Sequence, residues 1–146
     1  MSFVSQNTPL MFTQRPTNTL PQSTQKPLFA ITGKVLITHL LGEVTTVIGA
    51  VADATKLCYR NEAGTSSDLC ATNDINADAV ASYYTITGLP AGAMVNIATA
   101  PIIKLPNPIT LNGGTIDLNC AASTTGAIKW NIGYIALEPG AAILPL

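Results

Sequence analysis

Few side chains in this chain are equipped for catalysis, and the single histidine is the first to consider. His39 lies in VLITHLLGEV, so any Ser-His-Asp or Cys-His mechanism would have to use this one position. No G-x-S-x-G motif marks a nucleophile. Cys58, Cys70 and Cys120 are widely spaced, and with one histidine they lack the paired spacing of a zinc site. The sequence therefore predicts a structural histidine and no catalytic, cofactor-binding or metal-binding residue.

The carboxylates offer one recognisable pattern. DINAD places Asp74, Asn76 and Asp78 at alternate positions, as at the start of an EF-hand calcium loop. The match ends there, because Ala79 stands where that loop needs glycine and Thr85 where it needs a bidentate glutamate. We interpret the segment as an Asx-rich turn, with a cation bound in the loop as the alternative.

Composition also limits the classes of function. Only 10% of the 146 residues are charged and the net charge is −1, so no cationic field attracts phosphates, and we predict no direct binding to nucleic acid. The sequence has no uninterrupted run of about 18 apolar residues, so we predict no membrane-spanning helix. No signal peptide is recognisable either. The chain is expected to fold in a cytoplasm with its three cysteines reduced, a Cys58–Cys70 disulfide being the alternative.

The first 28 residues differ from the rest and are predicted to form an extended or disordered arm rich in Pro, Thr and Gln. Prolines at positions 9, 16, 21 and 27 prevent a helix. Apolar side chains interrupt the polar segment, which favours an arm that orders against a neighbouring subunit, with plain disorder as the alternative. The residues predicted to contact the partner are Phe3, Met11, Phe12, Arg15 and Leu20.

Residues 29–146 are typical of an all-β domain, in which Val, Ile, Thr and Tyr runs alternate with turn residues. Asn112-Gly113 predicts a tight hairpin, because this pair tolerates positive φ angles. The longest predicted loop, 61–79, has room for a short helix. About eight strands fit a β-sandwich or jelly roll. The strands are predicted near 30–41, 43–48, 55–60, 80–87, 93–99, 108–111, 114–120 and 127–136.

Alternation in the last of these strands predicts which side chains are buried. In 127–136, the even-numbered residues from Ile128 to Tyr134 are apolar, and 114–120 repeats the pattern as the predicted hairpin partner. Trp130 is predicted to anchor the core, with a ligand-stacking tryptophan as the alternative. The predicted core is Val35, Ile37, Leu57, Tyr84, Ile86, Ile116, Leu118, Trp130, Ile132 and Tyr134.

The last third of the chain resembles a known family. A G-x-I-x-L run at 114–118, the polar ASTTG at 122–126 and IKWNIGYIALEPGAAI at 128–143 are similar to the C-terminal signature of small β-sandwich proteins in tailed-bacteriophage head modules. Upstream, GEVTTVIGAVADATKL (42–57) is similar to their early hairpin. The resemblance implies a non-enzymatic virion structural protein assembled in the host cytoplasm, most naturally a capsid decoration (cement) protein. Its partners would be its own copies, as a trimer, and the major capsid protein.

Two other classes of function remain open from the sequence. A head-fibre, neck or tail component would act as a receptor- or glycan-binding β-sandwich, with Trp130, Tyr83 or Tyr84 facing the ligand. A hydrolase that depends on cysteine or carboxylate chemistry is the third class.

Overall fold

A computed structural model of the chain describes residues 9–98 and 104–146, and these residues form the all-β, sandwich-like fold that the sequence predicts. All strand pairings are antiparallel, and the longest path through the sheet runs β1-β9-β2-β8-β3-β4. Among the described residues there is no helical segment with the length and hydropathy that crossing a bilayer takes. The strands are β1 (Leu10–Thr19), β2 (Gln25–Thr46), β3 (Ala54–Arg60), β4 (Ser66–Asp68), β5 (Asn73–Asp74), β6 (Tyr83–Thr85), β7 (Val95–Ile97), β8 (Ile109–Cys120), β9 (Ala127–Ala136) and β10 (Ala142–Pro145).

The 22-residue strand β2 is the centre of the sheet. One edge pairs with β8 and then β6, and the other edge pairs with β10 and then β9. The prediction of two strands, 30–41 and 43–48, is therefore wrong, because the chain passes Gly42 without a turn. Gly42 instead lies opposite Trp130, where a Cβ atom would come within 2.7 Å of the indole ring. This glycine makes room for the tryptophan.

A β-bulge at Thr38 changes which residues of β2 face the core. Ile37 and His39 pair with the adjacent β9 residues Tyr134 and Gly133, so Thr38 is an extra residue. Ile37 and Leu40 are both buried, which means that odd positions face inward before the bulge and even positions after it. Because of this switch, His39 faces outward.

The predicted hairpin at Asn112-Gly113 is wrong, although positive φ angles do occur at this place in the chain. Gly113 and Gly114 have φ angles of +72° and +90°. They lie at a register shift inside β8, because Asn112 and Gly114 pair with Lys34 and Ile31 of the continuous strand β2. Two β2 residues therefore lie opposite Gly113, and the bulge is on β2. The predicted strands 108–111 and 114–120 are therefore parts of one strand.

The predicted pairing between 114–120 and 127–136 is also wrong, because β2 lies between β8 and β9 in the sheet. The two strands face each other instead. Leu28 and Leu118 line one small cavity of about 80 Å³ together with Ile128 and Trp130 of β9. The sheet therefore bends around a core that has β9 on one side and β8 on the other.

All ten residues predicted to form the core are buried. Trp130 is only 1% exposed, so the alternative of a ligand-stacking tryptophan is wrong. The predicted loop 61–79 contains the short strands β4 and β5 and no helix. The core prediction was reliable because alternation reports directly which face of a strand is apolar.

Of the segment before residue 29, the structure describes residues 9–28, and the strands among them belong to the same sheet as the rest of the chain. β1 pairs with β9 of its own chain, and the predicted domain boundary falls inside β2, which begins at Gln25. The prolines are compatible with this arrangement, because Pro16 lies at a register shift on an outermost strand, where a missing N–H disrupts little of the ladder.

Candidate interaction surface

The side chains with catalytic potential are not assembled into a recognisable site. In the ranges 9–98 and 104–146, no three His, Cys, Asp or Glu side chains lie close enough together to hold a metal ion. The DINAD segment forms the predicted Asx turn, in which Asp74 Oδ1 accepts the backbone N–H of Asn76 at 3.0 Å. Asp78 Oδ2 accepts the hydroxyl of buried Tyr84 at 2.5 Å. These carboxylates hold loops in place.

The two fully buried carboxylates are also bonded within the chain. Asp117 accepts hydrogen bonds from Arg60 Nε at 3.1 Å and Gln25 Nε2 at 2.9 Å, which links β8 to β3 and β2. Thr115 donates a third bond to Asp117 at 2.6 Å. Asp53 Oδ1 accepts a backbone N–H from the residue two positions after β8. Both groups therefore stabilise strand connections.

All three cysteines are free and buried, so the alternative Cys58–Cys70 disulfide is not formed. Burial raises the pKa of Cys58 to about 11 and that of Cys120 to about 12, and it raises the pKa of Cys70 as well. A raised thiol pKa means that the reactive thiolate is scarce at neutral pH.

We expect the free energy of unfolding to fall as the pH rises above about 8.5, where thiols of an unfolded chain begin to ionise. The folded chain keeps these protons to higher pH, so the unfolded state binds fewer protons in this window and alkali favours it. Urea denaturation at pH 7.5 and 9.5 measures the effect, and Cys120→Ala should reduce it. Equal stability at the two pH values, or rapid reaction of the native thiols with a maleimide, would contradict the assignment.

One outward face of the sheet carries apolar side chains that the core does not cover. In β9, Trp130, Ile132 and Tyr134 point inward, so the residues between them point outward. They are flanked by β1 on one side and β2 on the other. We call this surface the outer face; it consists of Leu10, Phe12, Leu36, His39, Leu41, Asn131, Gly133 and Ile135.

Phe12 and His39 meet over Gly133 at the middle of the outer face. Both pair with Gly133 across the sheet, and their ring centroids are 5.4 Å apart at an interplanar angle of 56°. A Cβ atom on Gly133 would lie 2.7 Å from Phe12 and 2.9 Å from His39 Nδ1, so a larger residue would separate the rings. The Thr38 hydroxyl lies 2.9 Å from His39 Nδ1 and donates to the Gly133 carbonyl at 3.2 Å, which orients the imidazole.

The outer face is uncharged along most of its length and remains accessible. Phe12 is 63% exposed, and a shallow apolar groove of about 90 Å³ lies between it and Leu41. The charged side chains that follow at one end, Glu43 and Lys129, form an ion pair with each other at 3.6 Å. A ligand on this face would therefore make apolar contacts rather than ionic ones.

Strand β1 also leaves one edge of the sheet open. Within the part of the chain that the structure describes, β1 pairs with β9 and with no other strand. Its inward side chains bind β10 and the residue after it, because Thr13 Oγ1 donates to the Ile143 carbonyl at 3.2 Å and Arg15 Nε to the Leu146 carbonyl at 2.7 Å. No strand of the ranges 9–98 and 104–146 pairs with the backbone groups along the outer edge, and an edge of this kind can accept a further strand.

The residues predicted to contact a partner have different environments. Met11 and Phe12 are exposed, whereas Leu20 is 3% exposed and belongs to the chain's own core, so it is not available to a partner. Arg15 is bonded to the backbone carbonyl of Leu146, and Phe3 lies outside the described residues. Alternation in the sequence does not associate His39 or Gly133 with Phe12, because their proximity depends on the strand pairing and on the bulge at Thr38.

Comparison with known proteins identifies no relative: no protein-family model, no curated protein and no solved structure matches this chain.

Proposed function

We propose that this protein is a non-enzymatic structural component of a bacteriophage virion, acting as a capsid decoration (cement) protein. It binds the major capsid protein and its own copies, as a trimer, and assembles onto the particle in the host cytoplasm. The observation that carries the proposal is the exposed, uncharged outer face beside the open edge of β1. The sequence resemblance to small phage head proteins is the reason for proposing that the assembly is a phage capsid.

The small size of the cavities favours binding through an exposed surface rather than in a pocket. The two cavities described above hold about 80 and 90 Å³, whereas sites for small molecules usually have about 300–1,000 Å³. A low content of charged residues also suits broad contacts, because immobilising long Lys and Glu side chains costs conformational entropy. A cement protein needs such a surface on a rigid core, and it needs no catalytic group.

A receptor- or glycan-binding module of a head fibre, neck or tail is the second candidate. Trp130 and Tyr84 are buried and do not suit it. The exposed ring of Phe12 beside His39 favours it, because an aromatic face is the usual platform for stacking a sugar. In this role the outer face would bind a host ligand instead of the shell.

The decisive experiment locates the protein on purified virions and measures its binding to particles from which it has been removed. We expect density for the protein on the capsid surface in an averaged electron-microscopy map, and cosedimentation of added protein with depleted particles. Phe12→Asp should weaken cosedimentation at least tenfold, because it places a charge on the apolar surface.

Val80→Asp is the matched control, since Val80 is exposed to a similar degree, 55%, and is not part of the outer face. If purified virions lack the protein, the proposed function is wrong. Density confined to a fibre or tail tip would replace it with the second candidate.

A further inference from the structure

We propose that the cavity of about 80 Å³ beside the connection from β1 to β2 binds a phosphate or sulfate group. We call it the cationic cavity, because Arg15 and Lys26 line it together with the buried apolar side chains already described. The inference is independent of the proposed function and concerns a part of the molecule other than the outer face. Its grounds are the two cations, their lack of an acidic partner, and the size of the cavity.

The strand register directs both cations toward this cavity. Arg15 pairs with Trp130 across β1 and β9, and Lys26 pairs with Leu118 across β2 and β8. Side chains of directly paired residues lie on the same face of a sheet, and Trp130 and Leu118 both belong to the core. Arg15 and Lys26 therefore point inward from two sides of the bent sheet. Arg15 is half-buried, whereas Lys26 is exposed, so a ligand can enter from solvent.

Among the described residues, no carboxylate side chain neutralises these two cations. The three ion pairs there involve other basic residues, and no Asp or Glu lines the cavity. The ranges 1–8 and 99–103 contain no Asp or Glu in the sequence. Burial lowers the pKa of Arg15. A half-buried cation without an acidic partner is stabilised by an anion, which replaces part of its lost hydration.

The guanidinium of Arg15 is oriented in a way that suits an oxyanion. Its Nε donates to the Leu146 carbonyl at 2.7 Å, and it makes no other hydrogen bond within the residues that the structure describes. The two terminal nitrogens of an arginine fixed in this way match two oxygens of one phosphate or sulfate. Lys26 adds a second positive charge, and Asn18 and Thr19 in the cavity wall add neutral donors.

The size of the cavity limits the class of ligand. At about 10–15 Å³ for each water molecule, a volume of about 80 Å³ has room for roughly five or more. This space suits a tetrahedral oxyanion and is far below the roughly 300 Å³ or more of sites for organic ligands. Trp130, Leu118 and Ile128 form the apolar part of the wall, and surroundings of low polarity strengthen the attraction between opposite charges.

Trp130 makes the test specific, because it is the only tryptophan in the chain and lines the cationic cavity. Full-length protein is titrated with sodium phosphate at pH 7, and sodium chloride is adjusted to keep the ionic strength constant. We expect a saturable change in tryptophan fluorescence at millimolar phosphate and a similar response to sulfate. Broadening of the phosphorus NMR signal of phosphate provides a second readout.

Substitutions of the two cations check the site. Arg15→Gln and Lys26→Gln should each raise the Kd for phosphate at least tenfold. Lys34→Gln is the matched control, because it removes the same charge from an exposed residue of β2 that does not line the cavity. Its Kd should change less than twofold. Since Lys26 is exposed, Lys26→Gln keeps the test informative even if Arg15→Gln unfolds.

Absence of a saturable response to phosphate and sulfate in both readouts would overturn the inference, as would an equal loss of affinity in Lys34→Gln. Free phosphate and a phosphate group on a larger molecule share this chemistry, and glycerol phosphate distinguishes them. Binding at least tenfold weaker than that of phosphate would indicate a site for the free ion, and equal or tighter binding a site for a phosphate ester. None of these results depends on whether virions contain the protein.

Discussion

Replacing Trp130 with alanine is expected to lower the free energy of unfolding by about 3–5 kcal/mol, the usual effect of truncating a buried tryptophan. Trp130 is 1% exposed and has the largest volume among the fully buried side chains of the described residues. Its ring packs against Gly42 of β2 and lines a cavity with Leu28 and Leu118. These neighbours lie on β2 and β8 of the same bent sheet, whose paired strands cannot easily move together to close the space that the ring leaves.

Urea denaturation measures this loss, and Phe12→Ala provides the matched control. Phe12 is an aromatic residue on the neighbouring strand, but it is 63% exposed. Its truncation should change the free energy of unfolding by less than about 1 kcal/mol, as is usual for surface substitutions. Equal losses for the two variants would show that Trp130 does not anchor the core.

Gly114→Ala is expected to destabilise the protein by about 2–5 kcal/mol. Gly114 has a φ of +90°, a conformation that costs an alanine about 1–2 kcal/mol. A Cβ atom at this position would also overlap the backbone carbonyl oxygen of Arg60 on β3. Relieving this overlap requires β3 and β8 to separate, and strain of this kind typically costs a further 1–3 kcal/mol.

Gly64→Ala separates the two contributions. Gly64 has nearly the same φ, +88°, but no atom lies within 4 Å of the place where its Cβ would be. This variant should therefore lose only the backbone contribution of about 1–2 kcal/mol. If urea denaturation gave the two variants the same loss in free energy of unfolding, the predicted overlap between a Cβ at position 114 and the backbone of β3 would be wrong.

The fold class and the core were predictable because both depend on local alternation. Ile116, Leu118, Trp130, Ile132 and Tyr134 follow a period of two within regular stretches of strand, and all of them are buried. A strand that keeps its register reveals its buried face in the sequence. The class of fold follows from the number of such strands.

The arrangement of the strands was not predictable, because bulges interrupt the alternation. Thr38 shifts the inward positions of β2 by one residue, and Gly113-Gly114 gives β8 the positive φ angles that a hairpin also uses. Asn-Gly indicates the backbone conformation and not whether the chain reverses. The outer face was not predictable either. The bulge at Thr38 turns His39 outward, and strands that are distant in sequence bring it next to Phe12.

The central position of β2 has a consequence for how the protein folds during synthesis. Synthesis of β2 is complete at residue 46, but synthesis of its main partners, β8 and β9, does not begin until residues 109 and 127. At typical elongation rates of about 5–20 residues per second, the nascent strand waits for several seconds with both edges unpaired. We therefore expect cooperative folding only after β9 has emerged, and capture of β2 by chaperones or aggregation when translation stalls within 47–108.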